Sequence, residues 1–162
     1  MIASGTRVLM FGDSMVNAGL AARMEQLVTA RGATFASDSW ASSTTRIWST
    51  SKRLPTLLAS EKPDVVFITI GSNEVYWLDP DAGSNVRKIV AKLEGLPCVL
   101  VGPPVWKGET GVVAAERDNA APCAFFDSGA LTLERQSDGI HPDAAGGAEW
   151  AVALFRATVA PE

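Results

Sequence analysis

The chain has 162 residues, 47% of them apolar and 20% charged, and a net charge of −4. That length allows one domain with a buried core. The acidic balance argues against a general nucleic-acid or anionic-membrane surface, and no apolar run approaches the roughly 20 residues that span a bilayer.

In chain order, Arg7-Val8-Leu9-Met10-Phe11 reads as a buried strand ending at Gly12. Residues 16–30 carry Leu20, Met24, Leu27 and Val28 on one helical face, and Gly32 closes that helix. Residues 33–37 form a weaker strand. Residues 39–51, rich in serine and threonine, read as a loop. A short helix follows over 54–60, with Pro55 tolerable in its first turn. Residues 64–70 form the clearest strand, rich in β-branched residues as suits burial on both faces. Gly71-Ser72-Asn73-Glu74 is a turn. Residues 85–93 are helical and end at Gly95. Residues 98–101 form a strand closed by Gly102-Pro103-Pro104. Residues 106–121 are irregular, with one helical piece over 112–119. Residues 123–126 are the last strand and 143–159 the final helix, with Trp150 on its buried face, despite Gly146-Gly147 near its start.

Alternating strands and helices imply an α/β protein: a parallel sheet with helices on both faces and right-handed crossovers. No linker, repeat or low-complexity segment divides the chain, so residues 1–162 read as one domain. Ligands of such sheets bind beyond the carboxyl ends of the strands. Ser14, Asn73 and the 103–106 segment all fall on that rim.

Cys98 and Cys123 each follow a proline and open an apolar run. Two buried free thiols are the plainer expectation. If the two runs are neighbouring parallel strands in register, the sulfurs instead start within bridging distance. A disulfide would imply an oxidising compartment. The start, Met1-Ile2-Ala3-Ser4-Gly5-Thr6, lacks the basic region and apolar core of a signal peptide. A trimmed chain would look the same, so the expectation is a soluble protein, with cytoplasmic and periplasmic or secreted locations both open.

The only histidine is His141, in Asp138-Gly139-Ile140-His141-Pro142. A serine hydroxyl needs a base to take its proton. The usual base is a histidine that a carboxylate holds in one tautomer. Asp138 is close enough in sequence to orient the ring, and Gly139 permits the tight turn between them. Ser14, in Gly12-Asp13-Ser14, follows a strand and precedes a helix, so its N–H is a free donor at a helix start. Asp13 or Ser14 as a simple cap is the alternative. Asn73 could donate its amide to an oxyanion, or serve only as a turn residue. Together these residues fit nucleophilic acyl transfer. The Gly-x-Ser-x-Gly elbow is absent, as are Gly-x-Gly-x-x-Gly and phosphate-binding loops. A glycosidase pair drawn from Asp13, Glu74 and Asp138 would leave Ser14 and His141 unused. No zinc-ligand spacing is present.

Gly12-Asp13-Ser14, Gly71-Ser72-Asn73-Glu74 and Asp138-Gly139-Ile140-His141-Pro142 resemble, in order and approximate spacing, three of the four blocks of the SGNH hydrolase superfamily, also called GDSL esterases/lipases. The resemblance spans essentially the whole domain. It implies a flavodoxin-like three-layer α/β/α sandwich with a five-stranded parallel sheet. It also implies Ser14 as nucleophile, His141 as base, Asp138 as its orienting carboxylate, and the Ser14 N–H and Asn73 side chain as oxyanion donors. Met15 stands where the family often has leucine, a volume-conserving change. The remaining block matches Ala41-Ser42-Ser43-Thr44-Thr45, with Ser43 at the position of a glycine whose N–H is the third oxyanion donor; that donor survives if the residue need not have positive φ.

The implied activity is a serine esterase that needs no metal or organic cofactor. Its substrate would be a small-molecule or carbohydrate ester with a short acyl group such as acetyl. Trp77, Trp106 and Trp40 are candidates to line the substrate site. An O-acyltransferase using the same triad, or arylesterase, thioesterase or lysophospholipase activity, are the alternatives. A carbohydrate-binding module with a dead site is a further one.

Overall fold

A computed structural model describes residues 2–158. Its strands are β1 (Arg7–Gly12), β2 (Thr34–Ser39), β3 (Val65–Thr69), β4 (Cys98–Val101) and β5 (Ala124–Phe126). They form one sheet in the order β2-β1-β3-β4-β5, parallel throughout. The helices are α1 (Leu20–Thr29), α2 (Thr45–Thr50), α3 (Arg53–Glu61), α4 (Ala82–Ala91), α5 (Val112–Asn119) and α6 (Ala144–Thr158).

Successive strand residues point to opposite faces, and the core divides accordingly. Val8, Met10 and Phe67 pack with Leu20 and Met24 of α1 and Trp150 and Leu154 of α6. Leu9, Phe11, Val66 and Ile68 pack with Trp48 of α2, Leu54 of α3 and Val86 and Ile89 of α4. The result is three layers, with β3 buried along its whole length, as its continuous apolar run required. No helix among the described residues is long and apolar enough to cross a membrane.

The elements depart from the sequence reading at instructive places. The helix expected over 16–30 splits into a 3-10 turn, Ser14–Asn17, and α1. Gly19, at φ +80°, breaks it. Here α6 crosses so closely that a Cβ on Gly147 would sit 2.1 Å from the Ala18 carbonyl oxygen, and one on Gly146 would sit 2.2 Å from the Glu134 carbonyl oxygen, which explains a glycine pair inside a helix. The loop expected over 39–51 contains α2. Thr44 caps it by accepting the Ile47 N–H, and Trp48 plugs into the core 4.7 Å from the Phe11 ring. The final helix runs from Ala144 to Thr158; Val159 lies outside the described residues.

The two cysteines are not free thiols. The β4–β5 register pairs Val99 with Ala124, which sets Cys98 beside Cys123 with Cα atoms 4.7 Å apart and their sulfurs bonded. The bridge spans 25 residues. By loop-closure entropy it stabilises the fold by about 3.5 kcal/mol.

Candidate active site

In the order β2-β1-β3-β4-β5, chain direction along the sheet reverses between β1 and β3. Crevices in such sheets open there, beyond the carboxyl ends. β1 delivers Asp13 and Ser14 to this point, and β3 delivers the Gly71–Glu74 turn. The loop before α6 brings His141 across from the far end of the sequence.

Ser14 Oγ lies 2.9 Å from His141 Nε2. His141 Nδ1 lies 2.7 Å from Asp138 Oδ2. Asp138 Oδ1 accepts the N–H groups of Ile140 at 2.8 Å and His141 at 3.0 Å. Gly139, at φ +68°, makes the turn that allows this. The His141 hydrogen bond, then the backbone donors, hold the Asp138 carboxyl down to about 2. The neutral imidazole that fits this network carries its proton on Nδ1 and accepts from the serine at Nε2. Arg135 fastens the loop: its guanidinium donates to the carbonyls of Ile140 and Pro104 and lies 5.8 Å from the Trp106 ring centroid.

The groups expected to donate to an oxyanion are less evenly placed. Ser14 opens the 3-10 turn, so its N–H has no partner within that turn. Asn73 Nδ2 donates one hydrogen to the Ser43 carbonyl at 2.9 Å, leaving its second. Ser43 does not offer the expected donor. It is fully buried; its N–H is engaged by the Trp40 carbonyl at 3.1 Å, and its Oγ accepts from Trp48 Nε1 at 2.9 Å. The positive φ of this segment falls on Ser42, at +60°. Ser43 therefore holds Asn73 through its carbonyl.

A pocket of about 180 Å³ opens over the triad, lined by Ser14, Asn73, Tyr76, Trp106, Ile140 and His141 among others. Of the three candidate tryptophans only Trp106 lies there, with its indole N–H donating to the Tyr76 hydroxyl. Trp77 points to solvent, 65% exposed. Trp40 stacks edge-on against Trp48 beneath the Arg53 guanidinium. Tyr76 and Ile140 line the pocket beside Trp106. Ile140 adjoins His141 in sequence, and that adjacency was the available signal. A larger groove of about 580 Å³ lies between α1 and α6, but its lining holds neither a nucleophile nor a histidine. No group of three or more His, Cys, Asp and Glu among the described residues is arranged to hold a metal.

Buried carboxyls form the floor of the site. Asp13 is fully buried. It accepts from Met15 N–H at 3.0 Å, Ser72 N–H at 3.1 Å and the Ser72 hydroxyl. Burial nevertheless pushes it up to about 6. Glu74 accepts from the Thr45 N–H and hydroxyl at 2.9 and 2.8 Å, and burial raises it too.

These shifts give stability a pH dependence of known sign. Asp138, and Asp64 beside Arg7, are both held down to about 2. Their contribution is complete above about pH 4 and is lost as pH falls through about 2. Asp13 runs the other way: the folded state holds its proton better than the unfolded chain does. Its contribution is complete below about pH 4 and is lost as pH rises through about 6. Glu74 adds in the same direction. The urea midpoint is therefore expected to be higher at about pH 4.5 than at about pH 7.5. A midpoint that climbs steadily over that interval would contradict it.

No protein-family profile and no curated protein sequence matches the chain. Solved structures do. A catalytic mutant of an acetylxylan esterase from Geobacillus stearothermophilus superposes with a TM-score of 0.76 at 21% identity, over 96% of this chain and 94% of that one. A carbohydrate acetylesterase family member from Sinorhizobium meliloti gives 0.71 at 20% identity, over 93% and 95%. A lipase/acylhydrolase from Enterococcus faecalis gives 0.70 at 18% identity, over 96% and 97%. The chain thus shares the three-layer α/β/α fold of these solved structures over nearly its whole length.

Proposed function

We propose that the chain is a member of the SGNH hydrolase superfamily, and that residues 1–162 act as one catalytic domain hydrolysing carboxylic esters. One observation carries the reading: the hydroxyl, imidazole and carboxylate of Ser14, His141 and Asp138 stand in line at 2.9 and 2.7 Å. Ser14 Oγ attacks the ester carbonyl carbon as His141 Nε2 takes the hydroxyl proton. Asp138, ionised at any working pH, stabilises the imidazolium. The tetrahedral oxyanion is held by the Ser14 N–H and the second amide hydrogen of Asn73, each such donor being worth about 10²–10³ in kcat. His141 gives its proton to the leaving alcohol. Water, deprotonated by the same imidazole, then attacks the acyl-enzyme, releases the acid and restores Ser14.

The pocket of about 180 Å³ suits a short acyl group such as acetyl. The aromatic rim of Tyr76 and Trp106 suits a sugar alcohol moiety. The Cys98–Cys123 bridge supports an oxidising compartment. A panel of esters varying acyl length and alcohol, acetylated sugars included, tests this beside Ser14→Ala. Acetyl esters are expected to turn over fastest, and Ser14→Ala to fall to near background. Undiminished rates in Ser14→Ala would overturn the nucleophile. With sugar acceptors present, transfer product in excess of free acid would overturn hydrolysis.

A further inference from the structure

α5 brings another carboxyl to the underside of the site. Glu116 is fully buried, and neither of its oxygens has a hydrogen-bond partner. No step of ester hydrolysis uses it. Such a group in a native fold calls for an explanation. Its contact with the site is Gly71. A Cβ on Gly71 would stand 2.2 Å from Glu116 Oε1 and 3.2 Å from Val112 Cγ2. Gly71, at φ +95°, opens the turn that carries Ser72 and Asn73, and its carbonyl accepts the Glu74 N–H at 2.9 Å.

The ionisable groups that act on Glu116 are all carboxyls: Glu74 from that turn, Asp13 from the end of β1 and Glu109 from the loop ahead of α5. Burial first, and then these three, push its carboxyl well above the ordinary range. A carboxylate without donors in such surroundings is strongly disfavoured, so the neutral acid is the resident form. Neutral, Glu116 fills the space under Gly71 and adds no charge beneath the pocket. Ionised, it would set a negative charge beside the turn whose Asn73 must hold an oxyanion. It would also repel Asp13 and Glu74, which grip Ser72 and Thr45.

We propose that Glu116 is a positioning residue that works as an undissociated acid: its neutral carboxyl props the Gly71–Glu74 turn, and a charge on it would switch the site off. The effect on rate rests on the esterase reading; the protonation state does not.

Two measurements test it together: kcat for p-nitrophenyl acetate from about pH 6 to 10.5, and the infrared C=O band of protonated carboxyls, in wild type and Glu116→Gln. Glutamine is close in size and permanently neutral. Glu116→Gln is expected to stay within about threefold of wild type near neutral pH and to lack the wild-type fall at alkaline pH. A protonated-carboxyl band is expected at about pH 8 in wild type and not in Glu116→Gln. An unchanged alkaline fall in the variant, or no band difference, would overturn the proposal. If Glu116→Gln does not fold, Glu116→Met, similar in length and uncharged, is read by the same criteria. An inactive wild type that still shows the band would fail the esterase reading and leave the buried neutral acid standing.

Discussion

His141→Ala is expected to lower kcat/KM for p-nitrophenyl acetate by roughly 10⁴- to 10⁶-fold. The ring touches both other members of the triad, at 2.9 and 2.7 Å, and it is the chain's only histidine. No second imidazole can replace it. Its side chain is 31% exposed and lies outside both core clusters that cover the sheet, so the fold should survive its removal. Circular dichroism separates lost chemistry from lost structure. A folded His141→Ala within tenfold of wild type would remove His141 as the base.

Gly12→Ala is expected to cost more than 4 kcal/mol of folding stability, or to abolish folding. Gly12 ends β1 and pairs in register with Thr69 of β3. A Cβ there would fall 1.7 Å from the Thr69 carbonyl oxygen, with the carbonyl carbon at 2.5 Å. That oxygen also accepts the Asp13 N–H at 2.9 Å. Both obstacles are backbone in the middle of a sheet, so no side-chain rotation relieves the clash. The two central strands would have to separate where they deliver Ser14 and Asn73. Gly108→Ala is the internal control. Nothing lies within 4 Å of its added carbon and its φ is not positive, so it should stay within about 0.5 kcal/mol of wild type. Urea unfolding of the two variants provides the comparison. Equal midpoints would show that the sheet yields at Gly12 and that the tight β1–β3 approach is not required.

Much of this architecture is legible locally. The apolar runs at Arg7–Gly12, Val65–Thr69 and Cys98–Val101 each form the strand expected, because a strand covered on both faces must be apolar throughout. Ser14, Asn73, Asp138 and His141 lie in short strings whose turn chemistry is written in neighbouring glycines, and all four meet. What the sequence hides is direction. Ser43 sits at the expected place in the chain, but its N–H turns to Trp40 and only its carbonyl faces Asn73. Trp77 and Trp40 flank site segments and still point away, because a loop residue's direction is set by packing that its neighbours in sequence do not encode. α2 was unreadable because serine and threonine weaken helical pattern; its stability comes from the Thr44 cap and the burial of Trp48. Glu116, mid-helix beside Arg117 and Asp118, looks like a residue of a solvated face until α5 is placed against the Gly71 turn.

Covalent labelling reads the nucleophile itself. A fluorophosphonate reports a serine made nucleophilic by an adjacent base. The wild-type protein should gain a single adduct, mapped by tandem mass spectrometry to Ser14, with loss of ester hydrolysis in step with labelling. His141→Ala should label far more slowly. An adduct on another residue, or full activity with Ser14 fully modified, would contradict Ser14 as the nucleophile.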